Sequence, residues 1–140
     1  MTFATILPVW QAARSRFFKI AVALPEQDLQ LQLGKSSIGS LLHHTAEVEY
    51  MFAEWFFGKG LPVEGIPKPD LTNLDELVAL LAASNEHLVE AMKALPEEQW
   101  QAVVESRMGP STPLEAIGRL IYHTGIHAGQ ISLIQKSEQN

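Results

Sequence analysis

An all-α four-helix bundle is the fold the sequence predicts, and three observations predict it. Apolar residues recur every three or four positions in four separate windows, the spacing that gives a helix one buried face. Stretches bearing proline, glycine, serine and asparagine separate those windows, as chain turns require. A faint duplication relates the first pair of windows to the second. At 140 residues the chain is long enough to bury a core as one domain spanning residues 1–140.

Helix one is expected from about Thr5 to Leu24, where Ile6, Trp10, Ala13, Phe17, Ile20 and Leu24 alternate steps of four and three. Pro8 is placed in its first turn, where a missing N–H costs nothing, and Pro25 ends it. Leu29, Leu31 and Leu33 alternate with Gln30 and Gln32, so an extended piece follows. Ser36 or Ser37 then caps helix two, which runs to about Phe57. Gly58 to Asn73, with three glycines and three prolines, is a long irregular crossover. Asn73 and Glu76 form a capping-box pattern for helix three, about Leu74 to Ala94, with Leu77, Leu81, Leu88, Ala91 and Leu95 inward. Trp100 to Arg107 carries no helical stripe and is expected to be extended. Thr112, Pro113 and Glu115 open helix four, which runs to about Lys136.

Composition removes several functions. There is no cysteine, so disulfides, thiolate metal sites and cysteine nucleophiles are excluded. Sixteen acidic against ten basic residues give a net charge of −6, and the basic residues are scattered, which argues against nucleic acid as a partner. No apolar window is long enough to span a membrane. The N-terminal residues lack the charged-then-apolar order of a secretory signal. A soluble cytoplasmic protein is the expectation.

The chemistry concentrates in IYHTGIHAGQI, residues 121–131. His123 and His127 are four apart on a helix, so both rings leave one face, one above the other. Two such histidines can share a divalent metal; they can equally be core histidines hydrogen-bonded to carbonyls. The duplication adds a third. ALPEQDLQ from Ala23 resembles ALPEEQWQ from Ala94, and SIGSLLHHT, 37–45, aligns without gaps to AIGRLIYHT, 116–124. His44 is thereby paired with His123. In a bundle with a pseudo-twofold axis, helices two and four would bring His44, His123 and His127 together, a set suited to a four-coordinate ion with one open position. The competing reading is shared packing alone, with Gly39 and Gly118 allowing close helix approach. His43 lies on a polar row with Ser40, Glu47 and Glu54 and is expected in solvent, Glu47 pairing with it. His87 reads as a boundary histidine.

These same residues, His44 after SIGSLLH and then His123, His127, Gly129, Gln130 and Ile131 in HTGIHAGQI, resemble the DinB-like family of four-helix-bundle metalloproteins. The resemblance runs over essentially the whole chain. It implies an up-up-down-down bundle, a homodimer, and nickel or zinc held by His44, His123 and His127. Characterised members of that family include transferases and isomerases that use a low-molecular-weight thiol. The resemblance therefore implies a metal-dependent transferase acting on a small thiol and an electrophile, with no nucleic-acid or membrane partner. Gln130 is the candidate for orienting water or substrate, and Glu49, the one carboxylate in an inward stripe of helix two, the candidate base or supporting group. A non-catalytic metal-binding stress protein, a metal-dependent hydrolase on the same ligands, and a metal-free helical interaction module are the alternatives.

Overall fold

The computed structural model describes residues 1–139. Four helices, α1 (Thr2–Val22), α2 (Ile38–Phe57), α3 (Leu74–Ala94) and α4 (Pro113–Gln139), carry the fold, with a two-residue hairpin of β1 (Gln32–Leu33) and β2 (Ser36–Ser37) between the first two. The all-α four-helix bundle is the architecture. None of the described helices is long and apolar enough to cross a membrane.

Two layers of core show how the helices run. Ala21 and Leu24 at and just beyond the end of α1, Ile38, Leu41 and Leu42 from the start of α2, Leu77, Leu80 and Leu81 from the start of α3, and Ile131 and Ile134 from the end of α4 form one cluster. Trp10, Phe52, Phe56, Leu88, Met92, Ile117 and Leu120, from the opposite ends of the same helices, form the other. Helices α1 and α4 therefore run one way and α2 and α3 the other, giving up, down, down, up. This corrects the up-up-down-down order that the resemblance implies. The chain between α1 and α2 folds on itself, with a 3₁₀ turn at Glu26–Gln30 and the hairpin, and Leu29 joins the first cluster, so α2 starts where α1 ends. The crossover from Gly58 to Asn73 has an extended reach of about 50 Å, enough to return along an α2 about 30 Å long. Helix α3 thus starts beside the start of α2. Around the bundle, α2 packs against α3 and α4, and α1 against the same two.

The caps explain the boundaries. Ser37 and Ser40 form a reciprocal box, each hydroxyl accepting from the other's backbone N–H at 3.0 and 2.9 Å, and Gly58 ends α2 at φ 69°. Thr112 and Glu115 form the expected box on α4, at 3.0 and 2.8 Å. At α3 only the Asn73 half forms, its Oδ1 accepting from the Glu76 N–H; the Asn73 N–H is instead bonded to the Asp70 carbonyl, and Leu74 N–H donates to Glu26 across the bundle. Helix α1 begins three residues earlier than expected, because Glu97, from beyond α3, accepts from the Thr2 N–H at 2.9 Å. A carboxylate there satisfies a free donor and complements the helix dipole. Pro8 consequently sits inside α1 rather than in its first turn. The extended piece at 29–33 shrinks to β1, since Leu29 is buried within the 3₁₀ turn. Beyond Trp100 the extended chain reduces to a bridge between Val104 and Ser111.

The two glycines paired by the duplication have different surroundings. A Cβ on Gly39 would lie 2.1 Å from the Leu71 carbonyl oxygen, whereas one on Gly118 would meet nothing within 4 Å. Gly39 lets the crossover backbone lie on α2; Gly118 faces open space and serves no close approach. Gly118→Ala should raise stability by up to about 1 kcal/mol through helix propensity. Gly39→Ala should lower it by about 1–3 kcal/mol, since backbone must move. Chemical denaturation of both variants checks this; equal effects would contradict the assignment.

Candidate metal centre

Neighbouring antiparallel helices bring the histidines together. His44 projects from the second turn of α2, and His123 and His127 from one face of α4. His123 Nε2 lies 3.2 Å from His44 Nε2 and 2.9 Å from His127 Nε2. The rings stand edge to face, at interplanar angles of 62° to 90°, so their nitrogens converge while their carbons splay apart. No carboxylate joins this group among the described residues. His127 is only 9% exposed, whereas His44 stands at the open side.

The residues present fit a divalent ion. An imidazole nitrogen carries a proton or a lone pair, not both. His127 Nδ1–H donates to Gln130 Oε1 at 2.6 Å, which turns the Nε2 lone pair of His127 into the cluster. His123 Nε2 must then face two nitrogens with a single proton or a single lone pair, so its two contacts cannot both be full hydrogen bonds. An ion accepting one lone pair from each ring removes that conflict. Tetrahedral coordination at about 2.0–2.1 Å places neighbouring nitrogens about 3.3 Å apart, close to the spacing found. Gln130 orients the His127 ring as a group behind a metal-binding histidine would. His123 Nδ1, by contrast, is buried without a partner.

Burial and mutual repulsion favour the neutral form of His123 and His44. Burial, with His127 and His44 beside it, pushes the His123 pKa from 6.5 down to about 4. Burial and then His127 also lower that of His44. Neutral imidazole is the form that ligates.

The other residues singled out in the sequence lie elsewhere. Glu49 is fully buried, and its oxygens accept from Arg14 Nε at 2.6 Å, Arg14 Nη2 at 3.0 Å and Ser84 Oγ at 2.6 Å. Arg14 Nη2 also donates to the Leu81 carbonyl at 2.7 Å. This ties α1, α2 and α3 together; losing one partner would strand a buried charge at about 3–5 kcal/mol. Glu47 pairs with His43 at 3.6 Å, as expected. His43, expected in solvent, is half-buried, and its Nε2 has no partner. The polar row it belongs to sits at the bundle's flank, leaving the ring less exposed than His44. His87 is a boundary histidine whose ring lies tilted at 54° against Tyr50, 4.9 Å between ring centres.

Sequence reasoning missed Arg14, placing Ala13 in the stripe instead. A signal existed, because Trp10, Arg14, Phe17 and Ala21 also share a helical face, and an inward acid on α2 requires an inward base. It also missed a groove of about 500 Å³ opening beside His44 and His123, lined by Val48, Met51, Phe52, Trp55, Met108, Arg119 and Tyr122.

The DinB superfamily model matches residues 10–131, a span that includes α2, most of α4 and all three histidines. The chain belongs to the DinB superfamily. A DinB-like protein from Bacillus cereus ATCC 10987, known from its crystal structure, has the same fold at a TM-score of 0.77, with 17% sequence identity over 96% of this chain and 91% of that one. No curated protein matches the sequence. Membership places this DinB chain's bundle; the chemistry of its three-histidine group rests on the geometry above.

The lowered histidine pKa values make a pH prediction for the metal-free protein. Below about pH 6.5 the unfolded chain takes up protons that folded His123 refuses down to about 4, so stability is complete above that window and falls through it on acidification. His123→Gln should show a shallower loss between about pH 6.5 and 4 than the unsubstituted protein. Thermal melts across that range measure it, and parallel profiles would contradict it.

Proposed function

We propose that this DinB protein is a nickel- or zinc-dependent transferase that joins a low-molecular-weight thiol to an electrophile at the three-histidine centre. The convergence of three imidazole nitrogens on one point, open on the His44 side, carries the reading. His44, His123 and His127 would hold the ion, and Gln130 would keep the His127 ring oriented. A divalent ion in that site lowers the pKa of a thiol as it does that of water, supplying a thiolate at neutral pH. Three protein ligands leave a position for the thiol, whereas structural sites close with four. The groove beside His44 and His123 gives the electrophile an apolar surface, which supports a transferase over a hydrolase. Glu49, its oxygens taken up by Arg14 and Ser84, serves the scaffold rather than proton transfer in this proposal. A homodimer belongs to it as well; Ile20, Ile126 and Leu133 give α1 and α4 exposed apolar surface for one.

The test begins with protein purified without a histidine tag and loaded with nickel or zinc. Conjugation of small thiols to a panel of electrophiles should require the ion, fall at least about a hundredfold in His123→Ala, and fall about 10–100-fold in Gln130→Ala through weakened metal binding. Metal at one equivalent with no thiol-dependent turnover, and with thermal stability lost on chelation, would instead establish a structural site.

A further inference from the structure

We propose that the groove beside the histidines selects an electrophile with an apolar, aromatic-sized body and a carboxylate, the carboxylate being read by Arg119. This deepens the reading above and rests on it for the word electrophile. The groove begins at His44 and His123, and its volume of about 500 Å³ is that of a small-molecule site. Its walls are almost wholly apolar. Met51 and Trp55 of α2, Tyr122 of α4 and Met108 ahead of α4 all contribute to that lining. Flexible thioethers and accessible aromatic rings, Trp55 in part and Tyr122 largely exposed, suit a flat apolar guest.

One formal charge lines the groove, the guanidinium of Arg119. Arg119 is exposed and has no ion pair within 4 Å among the described residues. Glu115, one turn before it, is held first by the Thr112 donors and only weakly feels the Arg119 charge. Arg119 is also one turn before His123 on the same helix, so a ligand clasped by it would lie along the groove toward the imidazoles. A cation one turn from the reactive centre, beside apolar walls, discriminates by the distance between an anion and the body that carries it. A fork of guanidinium donors binds a carboxylate in two parallel charge-assisted hydrogen bonds.

The experiment uses 4-phenylbutyrate, 4-phenylbutan-1-ol and butyrate as probes, titrated by NMR into the metal-free and the zinc-loaded protein. Phenylbutyrate should bind about tenfold more tightly than the alcohol in both forms, with shifts centred on Met51, Trp55 and Tyr122, and butyrate should bind weakest. Arg119→Gln should remove the preference for the acid and leave the alcohol unchanged; Arg119→Lys should restore part of it. Trp55→Leu should weaken both phenyl probes. A preference that appears only with zinc, and disappears in His123→Ala but not in Arg119→Gln, would mean that the ion reads the carboxylate and would overturn the proposal. No saturable shift by about 10 mM of either phenyl probe would overturn it too. The metal-free arm keeps these outcomes separate from a failure of the metal centre itself.

Discussion

The rotation of α2 about its own axis is the constraint on which the site depends, and a buried carboxylate sets it. Glu49 follows His44 by five residues, which turns it about 140° around the helix. When Arg14 of α1 and Ser84 of α3 grip Glu49 on one side, His44 is left pointing to the other, toward α4. A charge pair this deep adds little net stability against an apolar alternative, but it tolerates few alternative arrangements once formed. The ion pair and the histidine cluster are thus two faces of one helix, one directed to α1 and α3 and the other to α4.

The direction of the helices does the remaining work. Because α2 and α4 are antiparallel neighbours, the start of one lies beside the end of the other, and the duplicated segments meet near their matching histidines. The crossover that makes α3 parallel to α2 passes over Gly39, so the glycine shared by the two halves supports topology in one half and has no contact in the other. His127, one turn beyond the duplicated stretch, completes the three, and Gln130 settles which of its nitrogens faces inward. The result is a centre whose inner nitrogens conflict with one another without an ion and whose outer side opens on an apolar groove.

Most of this is legible in local features of the sequence. The four helices, the cap at Ser37 and the Thr112–Glu115 box follow from periodicity or from residues a few positions apart, and the His44–His123 pairing from the repeat of one local segment in the other. What escapes a local reading is non-local. The start of α1 depends on Glu97, far along the chain, and the inward face of α1 depends on an acid from α2, so apolar spacing alone favours Ala13 over Arg14. The order of helix directions turns on whether each connection folds up locally or runs the length of the bundle, which composition does not state. Leu29, in an alternating run, is drawn into a 3₁₀ turn by the core rather than into a strand.

The central claim is an open centre of three imidazoles that receives a thiol. X-ray absorption at the metal edge of the nickel- or zinc-loaded protein tests it most directly. The account predicts three imidazole nitrogens at about 2.0–2.1 Å and one further light ligand, which is replaced by a sulfur at about 2.3 Å when a small thiol is added. A shell with fewer than three imidazoles, or one that stays unchanged with thiol in excess, would contradict it.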